Sequence, residues 1–269
     1  MTSQLNDALC TGFPLLDKAI GGIKKGSLTI IKGGPNAGKM SLLLSILLHS
    51  VRQGHSVGFF CNQYELKNSI GRLYIMSKLT QEEDDRIIVN DQKNLNLQDF
   101  REIAESMVKD GVEVLYIHNL ESIDCENDDV ILSRISNAKA LKGLAVELNV
   151  PIIASMMGTR MHTKQLKDGR RAIAPPSITE EFQDYPEVVS FADSIWLLHR
   201  PSAYRGRVDV RFIEESPENN AELMIAKNNG GAQCTIPMNF DRDKLMFEES
   251  GVSVLPYSEE ENVRLSKLI

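Results

Sequence analysis

No CxxC pair, no cluster of metal-ligating side chains and no apolar stretch long enough to cross a bilayer occurs in this chain of 269 residues. The four cysteines, Cys10, Cys61, Cys125 and Cys234, lie far apart, and two fall in apolar runs, so they read as buried thiols of a reducing compartment rather than a disulfide or zinc framework. The N-terminal stretch MTSQLNDALCTGF lacks the apolar core of a secretion signal. The apolar run Leu42–Leu48 is too short to span a membrane. A cytoplasmic protein with no membrane association is the expectation. Basic excess is missing too: the formal net charge is -7, which excludes a surface that coats nucleic acid everywhere but leaves room for a local basic loop. Ser/His/Asp or Cys/His nucleophilic arrangements, internal repeats and low-complexity segments are likewise absent from the sequence.

What is present is a 42% hydrophobic chain with 25% charged residues, enough for one large α/β domain or two small ones. Branched apolar runs alternate with helical patterns. Strands are expected at 27–33, 56–62, 112–120, 150–157 and 192–200, with helices at 39–54, 67–79, 97–111 and 130–149 between them. That alternation predicts a doubly wound, mostly parallel central sheet with helices on both faces. The tail segments AELMIAKN, CTIPMNF and KLMFEES predict antiparallel edge strands. Residues 158–177 and 200–220 read as loops, and the last residues as a short helix.

The segment KGGPNAGKMS nearly matches the phosphate-loop pattern GxxxxGK[ST]. It follows a strand and opens an apolar helix, as that loop must. Gly33, Gly34, Pro35, Asn36, Ala37, Gly38, Lys39, Met40 and Ser41 are therefore the candidate residues for ATP or another nucleotide. Glycines let backbone N–H groups turn inward around phosphates, and the lysine reaches the terminal ones. The last position normally offers a hydroxyl to Mg²⁺. Met40 offers a soft thioether instead, which argues against Mg²⁺. Ser41 lies about 100° further round the helix and should point elsewhere.

The chain resembles the C-terminal motor domain of the DnaB replicative helicases. TGFPLLDKAIGGIKKGSLTIIKGGPNAGK is similar to that family's entry segment and phosphate loop. ALKGLAVELNVPIIAS, FADSIWLLHRPSAY and AELMIAKNNGGAQCTIPMNFD are similar to its later core segments. The resemblance implies a RecA-like P-loop NTPase fold over residues 11–248, with an N-terminal arm at 1–10 and a C-terminal tail at 249–269. The entry segment is also similar to KaiC-like and RadA-like regulators. The collar domain and linker of the helicases have no room before Thr11, and Met1 with the acidic tail suggests a complete short protein.

The resemblance also implies functional positions, and this chain departs at most of them. The hydroxyl position holds Met40. The catalytic glutamate position holds Gln63, with Glu65 two residues on. The Walker B aspartate position holds His118, which on its own neighbours reads as a structural histidine at a strand end. The sensor glutamine position holds Met157. Of the lysine and arginine that reach across a subunit interface, Lys227 is retained and Asn229 replaces the arginine. A DNA-contacting loop aligns with EFQDYP, at Gln183 and Pro186. Arg160, His162, Lys164, Lys167, Arg170 and Arg171 make a locally basic stretch that the resemblance turns toward a central channel and single-stranded DNA. On its residues alone the stretch also reads as a solvated loop.

A general base is worth about 10²–10⁴ in rate and a trans arginine about 10³–10⁵. Replacement at five separate positions therefore points to a pseudo-ATPase of DNA replication or recombination that keeps the fold for assembly or for nucleotide or DNA binding. The alternatives are an active ATP-dependent helicase or DNA-stimulated ATPase, and a KaiC/RadA-like regulatory protein. A ring or filament of the chain itself, or assembly with an active helicase, is the expected partnership.

Overall fold

Strand β1 (Leu28–Gly33) is flanked on both sides by parallel neighbours and is buried at all six positions. The computed structural model describes residues 8–61, 79–93, 95–124, 129–158, 162–165, 171–204, 219–251 and 255–256, with residues 163–165, 171, 172, 255 and 256 described as backbone. Along the chain, α1 (Pro14–Ile20) precedes β1, then come α2 (Lys39–Arg52), β2 (Val57–Phe60), α3 (Gln81–Asp84), β3 (Ile87–Asn90), α4 (Leu97–Lys109) and β4 (Val114–Ile117). They are followed by α5 (Val130–Leu148), β5 (Ile152–Met157), β6 (Thr163–Gln165), β7 (Arg171–Ile173), α6 (Ile178–Glu181), α7 (Glu187–Phe191) and β8 (Ser194–His199). The chain closes with β9 (Asn220–Asn228), β10 (Cys234–Asp241), β11 (Met246–Glu249) and β12 (Leu255–Pro256).

The main sheet runs β11-β10-β9-β8-β1-β5-β4-β2-β3, with β12 paired to β10. The six strands from β8 to β3 are parallel, and β9 to β12 are antiparallel. This is the expected RecA-like layout. Side chains alternate between two apolar cores. Leu28, Ile30, Leu115, Ile117, Ile152 and Ala154 face one. Ile31, Val114, Tyr116, Ile153, Trp196 and Leu198 face the other. Both faces are covered, so the central strands read as continuous apolar runs rather than alternating ones.

The helices follow local chemistry. Asn96 caps α4 by accepting from the Asp99 N–H at 2.8 Å. Phe100, Ala104 and Met107 then recur on one buried face, each large side chain contributing about 2 kcal/mol. Asp129 caps α5, accepting from the Ile131 N–H at 2.8 Å. Helix α2 is buried almost all round because the antiparallel strands close over it.

One strand was not expected, and one expectation needs correction. Ile87–Asn90 forms a parallel edge strand beside β2 that the half-buried, charge-flanked sequence did not announce. The stretch 158–177 is not wholly loop: Thr163–Gln165 pairs antiparallel with Arg171–Ile173. The expected helix at 67–79 falls almost wholly outside the described residues, and the C-terminal helix lies outside them.

Candidate functional site

The parallel strands deliver their chemistry to one edge. Gly33 at the end of β1 stands in register with Met157 of β5 and Leu198 of β8. His118 directly follows β4, and Arg200 directly follows β8. Open α/β sheets bind ligands at this carboxyl edge.

From Gly33 the chain turns through Gly34, Pro35, Asn36 and Ala37, with the Ala37 N–H on the Gly34 carbonyl at 3.2 Å. Asn36 takes φ 60°, and Gly38 takes φ 106° as the residue that opens α2. At Gly38 only glycine suits: the φ is left-handed, and a Cβ would lie 2.7 Å from the Phe247 ring. At Gly34 a Cβ would lie 2.4 Å from the Tyr204 hydroxyl, so Tyr204 walls the loop on the β8 side. Gly158 donates its N–H to the Gly33 carbonyl at 2.8 Å. A Cβ there would come 2.8 Å from the Gly33 carbonyl carbon.

Lys39 is 7% exposed. Its ammonium donates to the Gly33 and Gly34 carbonyls at 2.8 and 3.0 Å and approaches the Met157 sulfur at 3.4 Å. Burial pulls its pKa from 10.5 to about 8, and Glu121 and Glu181 oppose that fall. Met40 packs against the apolar core around α2, and Ser41 is buried.

His118, which directly follows β4, has its Nδ1 3.1 Å from the Ser155 hydroxyl, which also accepts from the Asn119 N–H at 2.8 Å. Gln63 and the alternative Glu65 lie outside the described residues. The carboxylate that does reach the loop is Glu121, three residues beyond His118. Its Oε1 accepts from the Met157 N–H at 3.0 Å and pairs with Arg134 at 3.3 Å, while Oε2 is buried without a hydrogen bond. Sequence reading passed over Glu121, because only the turn after β4 brings it beside Met157 and Lys39.

A second charge is hidden directly below. Lys32 of β1 is fully buried, 3.0 Å from Glu181 Oε2 and 2.6 Å from the Tyr185 hydroxyl, with the Phe182 ring 4.2 Å away. Burial lowers its pKa, and the Glu181 charge and hydrogen bond counter that. Burial pushes the Glu181 carboxyl up, but the hydrogen bond from His162 and the Lys32 charge outweigh it and hold it below the usual range. His162 bonds Glu181 at 2.7 Å and Glu180 at 3.0 Å, which raises its own pKa. A lysine inside the apolar run LTIIKG was the signal that a buried partner had to exist.

The remaining expected positions separate from the loop. Lys227 and Asn229 lie at the other end of the sheet, since Asn228 pairs with Ser194 at the start of β8. Along the strands that is four residue steps, roughly 13 Å, from Gly33. Lys227 donates to the Val189 carbonyl at 2.7 Å, and Asn229 holds Asp193 through its N–H at 2.9 Å. Both are engaged within their own chain. Phe182 and Tyr185 of EFQDYP are core residues, and only Gln183, Asp184 and Pro186 of that stretch's centre face solvent. Lys164 and Arg171 belong to the β6–β7 hairpin; Arg160, Lys167 and Arg170 lie outside the described residues.

The residues at the loop do not fit hydrated Mg²⁺. Met40 offers a soft thioether, His118 an imidazole, and Glu121 is already held by Met157 and Arg134. Among the described residues no group of three or more His, Cys, Asp or Glu is placed to hold a metal, and no helix is long and apolar enough to cross a membrane.

Three comparisons with known proteins bear on this site. The family described as DnaB-like helicase C terminal domain matches residues 62–249. The replicative DNA helicase DnaB of Mycoplasma pneumoniae is 24% identical over 89% of this chain and 56% of its own length. A probable plasmid replicative DNA helicase of Chlamydia muridarum is 26% identical over 87% of this chain and 53% of its own. The chain thus spans about half the length of these curated relatives. Among solved structures, an isolated ATPase domain superposes with a TM-score of 0.74 at 19% identity, covering 92% of this chain and 93% of that one. A DnaB-like replicative helicase, solved to show its interactions with primase, superposes with a TM-score of 0.73 at 20% identity, covering 90% of this chain and 61% of that one.

Proposed function

The chain belongs to the family of DnaB-like helicase C-terminal domains, and from that membership we propose that it is a helicase-related protein of DNA replication or recombination whose phosphate loop binds nucleotide without turning it over. The observation that carries this reading is the company of Lys39. The lysine and the glycine-built loop are intact, yet Met40, His118 and Met157 stand where the hydrolytic groups would be. Lys227 and Asn229, the positions expected to serve a neighbour, are engaged inside their own chain. The fold is kept for binding and for assembly, either with copies of itself or with an active relative. The basic stretch from Arg160 to Arg171 is the segment offered to single-stranded DNA.

ATP hydrolysis at high protein concentration, with Mg²⁺ and single-stranded DNA, tests this beside a Lys39→Ala control. Turnover equal to the control is expected; turnover clearly above it refutes the proposal. One observation favours the second reading, an active ATPase: Glu121 places a carboxylate beside Lys39. On that reading the turnover would disappear in Glu121→Gln.

A further inference from the structure

The corner that follows β8 carries a cluster of buried polar atoms with nothing to bond. Among the described residues, His199 Nδ1, Arg200 Nε and the Ser202 hydroxyl have no hydrogen-bond partner, on residues 3%, 9% and 7% exposed. The corner abuts the phosphate loop. Arg200 Nη2 donates to the Asn36 carbonyl at the crown of the loop, and the guanidinium lies 4.1 Å from the centre of the Phe240 ring. Tyr204, at the end of the same turn, packs its hydroxyl against Gly34.

Arg200 has no carboxylate partner among the described residues, and the charge acting on it is a second cation, Arg242. A guanidinium taken out of water without an anion is costly. A backbone carbonyl satisfies one of its five N–H groups and none of its charge. The arrangement is completed by an anion at the loop. Backbone N–H groups and the start of α2 already favour negative charge there. The loop also lacks what would bring a divalent ion along with the phosphates.

We propose that Arg200 completes the phosphate site, supplying from within the same chain positive charge that a metal ion supplies in a loop with a hydroxyl, so that this protein takes the phosphates of a nucleoside polyphosphate free of metal. The proposal rests on the nucleotide-binding reading of the loop. It adds the form of the ligand and a binding residue that the loop pattern does not contain. Lys39 and Arg200 share the phosphates, and the anion supplies the guanidinium with the counter-charge that it lacks among the described residues.

Calorimetric titration of the full chain with ADP, in excess Mg²⁺ and in excess EDTA, tests it. Wild-type affinity is expected to agree within about twofold between the two conditions. Arg200→Gln is expected to weaken binding by about 10- to 100-fold, the worth of a charge-assisted bond, and Arg200→Lys by less. Met40→Thr is expected to introduce a preference for Mg²⁺. Circular dichroism checks that each variant folds, and the comparison of conditions on the wild type needs no variant. Binding that requires Mg²⁺ overturns the metal-free site and leaves the nucleotide reading standing. Unchanged affinity in both folded Arg200 variants overturns the role of Arg200. No binding in either condition, with wild type and Lys39→Ala alike, overturns the nucleotide reading itself.

Discussion

Replacing Lys32 by methionine isolates the buried charge beneath the loop. The substitution keeps most of the volume and removes the ammonium. It breaks the 3.0 Å pair with Glu181, the 2.6 Å bond to Tyr185 and the contact with the Phe182 ring. Breaking a buried pair by removing one partner costs about 3–5 kcal/mol, because the other charge is left uncompensated. Here Glu181 keeps His162 at 2.7 Å, which moves the expectation to the lower end, about 3 kcal/mol. With a urea slope of about 3 kcal/mol/M the unfolding midpoint falls by about 1 M. The loss should depend on pH. His162 has a raised folded pKa, so its stabilising contribution is full below the unfolded value and disappears as pH rises through the folded one. Lys32→Met should therefore cost less at about pH 5.5, where imidazolium replaces ammonium beside Glu181, than at about pH 8. The double variant Lys32→Met/Glu181→Gln should be more stable than the single one at about pH 8, since no bare charge remains. Urea unfolding of the three proteins at both pH values measures this. A single variant as stable as wild type, or a double variant weaker than the single, would refute the reasoning.

Three further outcomes follow from groups at the same edge. Lys39 holds its proton up to about pH 8 when folded and to 10.5 when unfolded, so the unfolded chain binds more protons in that window and stability should rise across it, while ADP affinity falls above about pH 8; a flat affinity between pH values of about 7 and 9 would mean that the ammonium does not meet the phosphates. Burial holds His199 at about 4, so the unfolded chain takes up a proton first, and stability should drop by at most roughly 3 kcal/mol as pH falls from about 6.5 to about 4; His199→Asn should flatten that slope in urea titrations. Gly34→Ala should cost about 1–3 kcal/mol by thermal unfolding, and Tyr204→Phe in the same chain should recover part of it, because the atom 2.4 Å from the new methyl is the tyrosine hydroxyl.

The phosphate loop, the central strands and the antiparallel closing strands were legible because each is announced within its own segment. Glycines at fixed spacing, an apolar run and a following helix pattern sit side by side in the chain. Ile87–Asn90 was hidden by its length and by the acidic run before it. Its parallel partner β2 lies across a connection of more than 25 residues, so no local pattern marks the pairing. The site's second ring of groups was illegible for the same reason. Glu121 follows β4, Arg200 and Tyr204 follow β8, and Glu181 ends helix α6, and only the crossovers bring them together at or beneath the loop. Two of them left traces: a lysine inside an apolar strand demanded a buried acid, and an arginine directly after IWLLH demanded an acceptor.

The bond between the Gly158 N–H and the Gly33 carbonyl joins the root of the phosphate loop to the start of the stretch that carries the β6–β7 hairpin. With no space for a side chain at Gly158, the two backbones are in direct contact, without a lever arm of side chains between them. Below, Lys32, Glu181 and His162 make a second tie between the same two parts. Mechanically, the loop and the hairpin base are one bracket fastened at two points. A change of backbone position at Gly33 therefore meets Gly158 directly, with no side chain between them to absorb it.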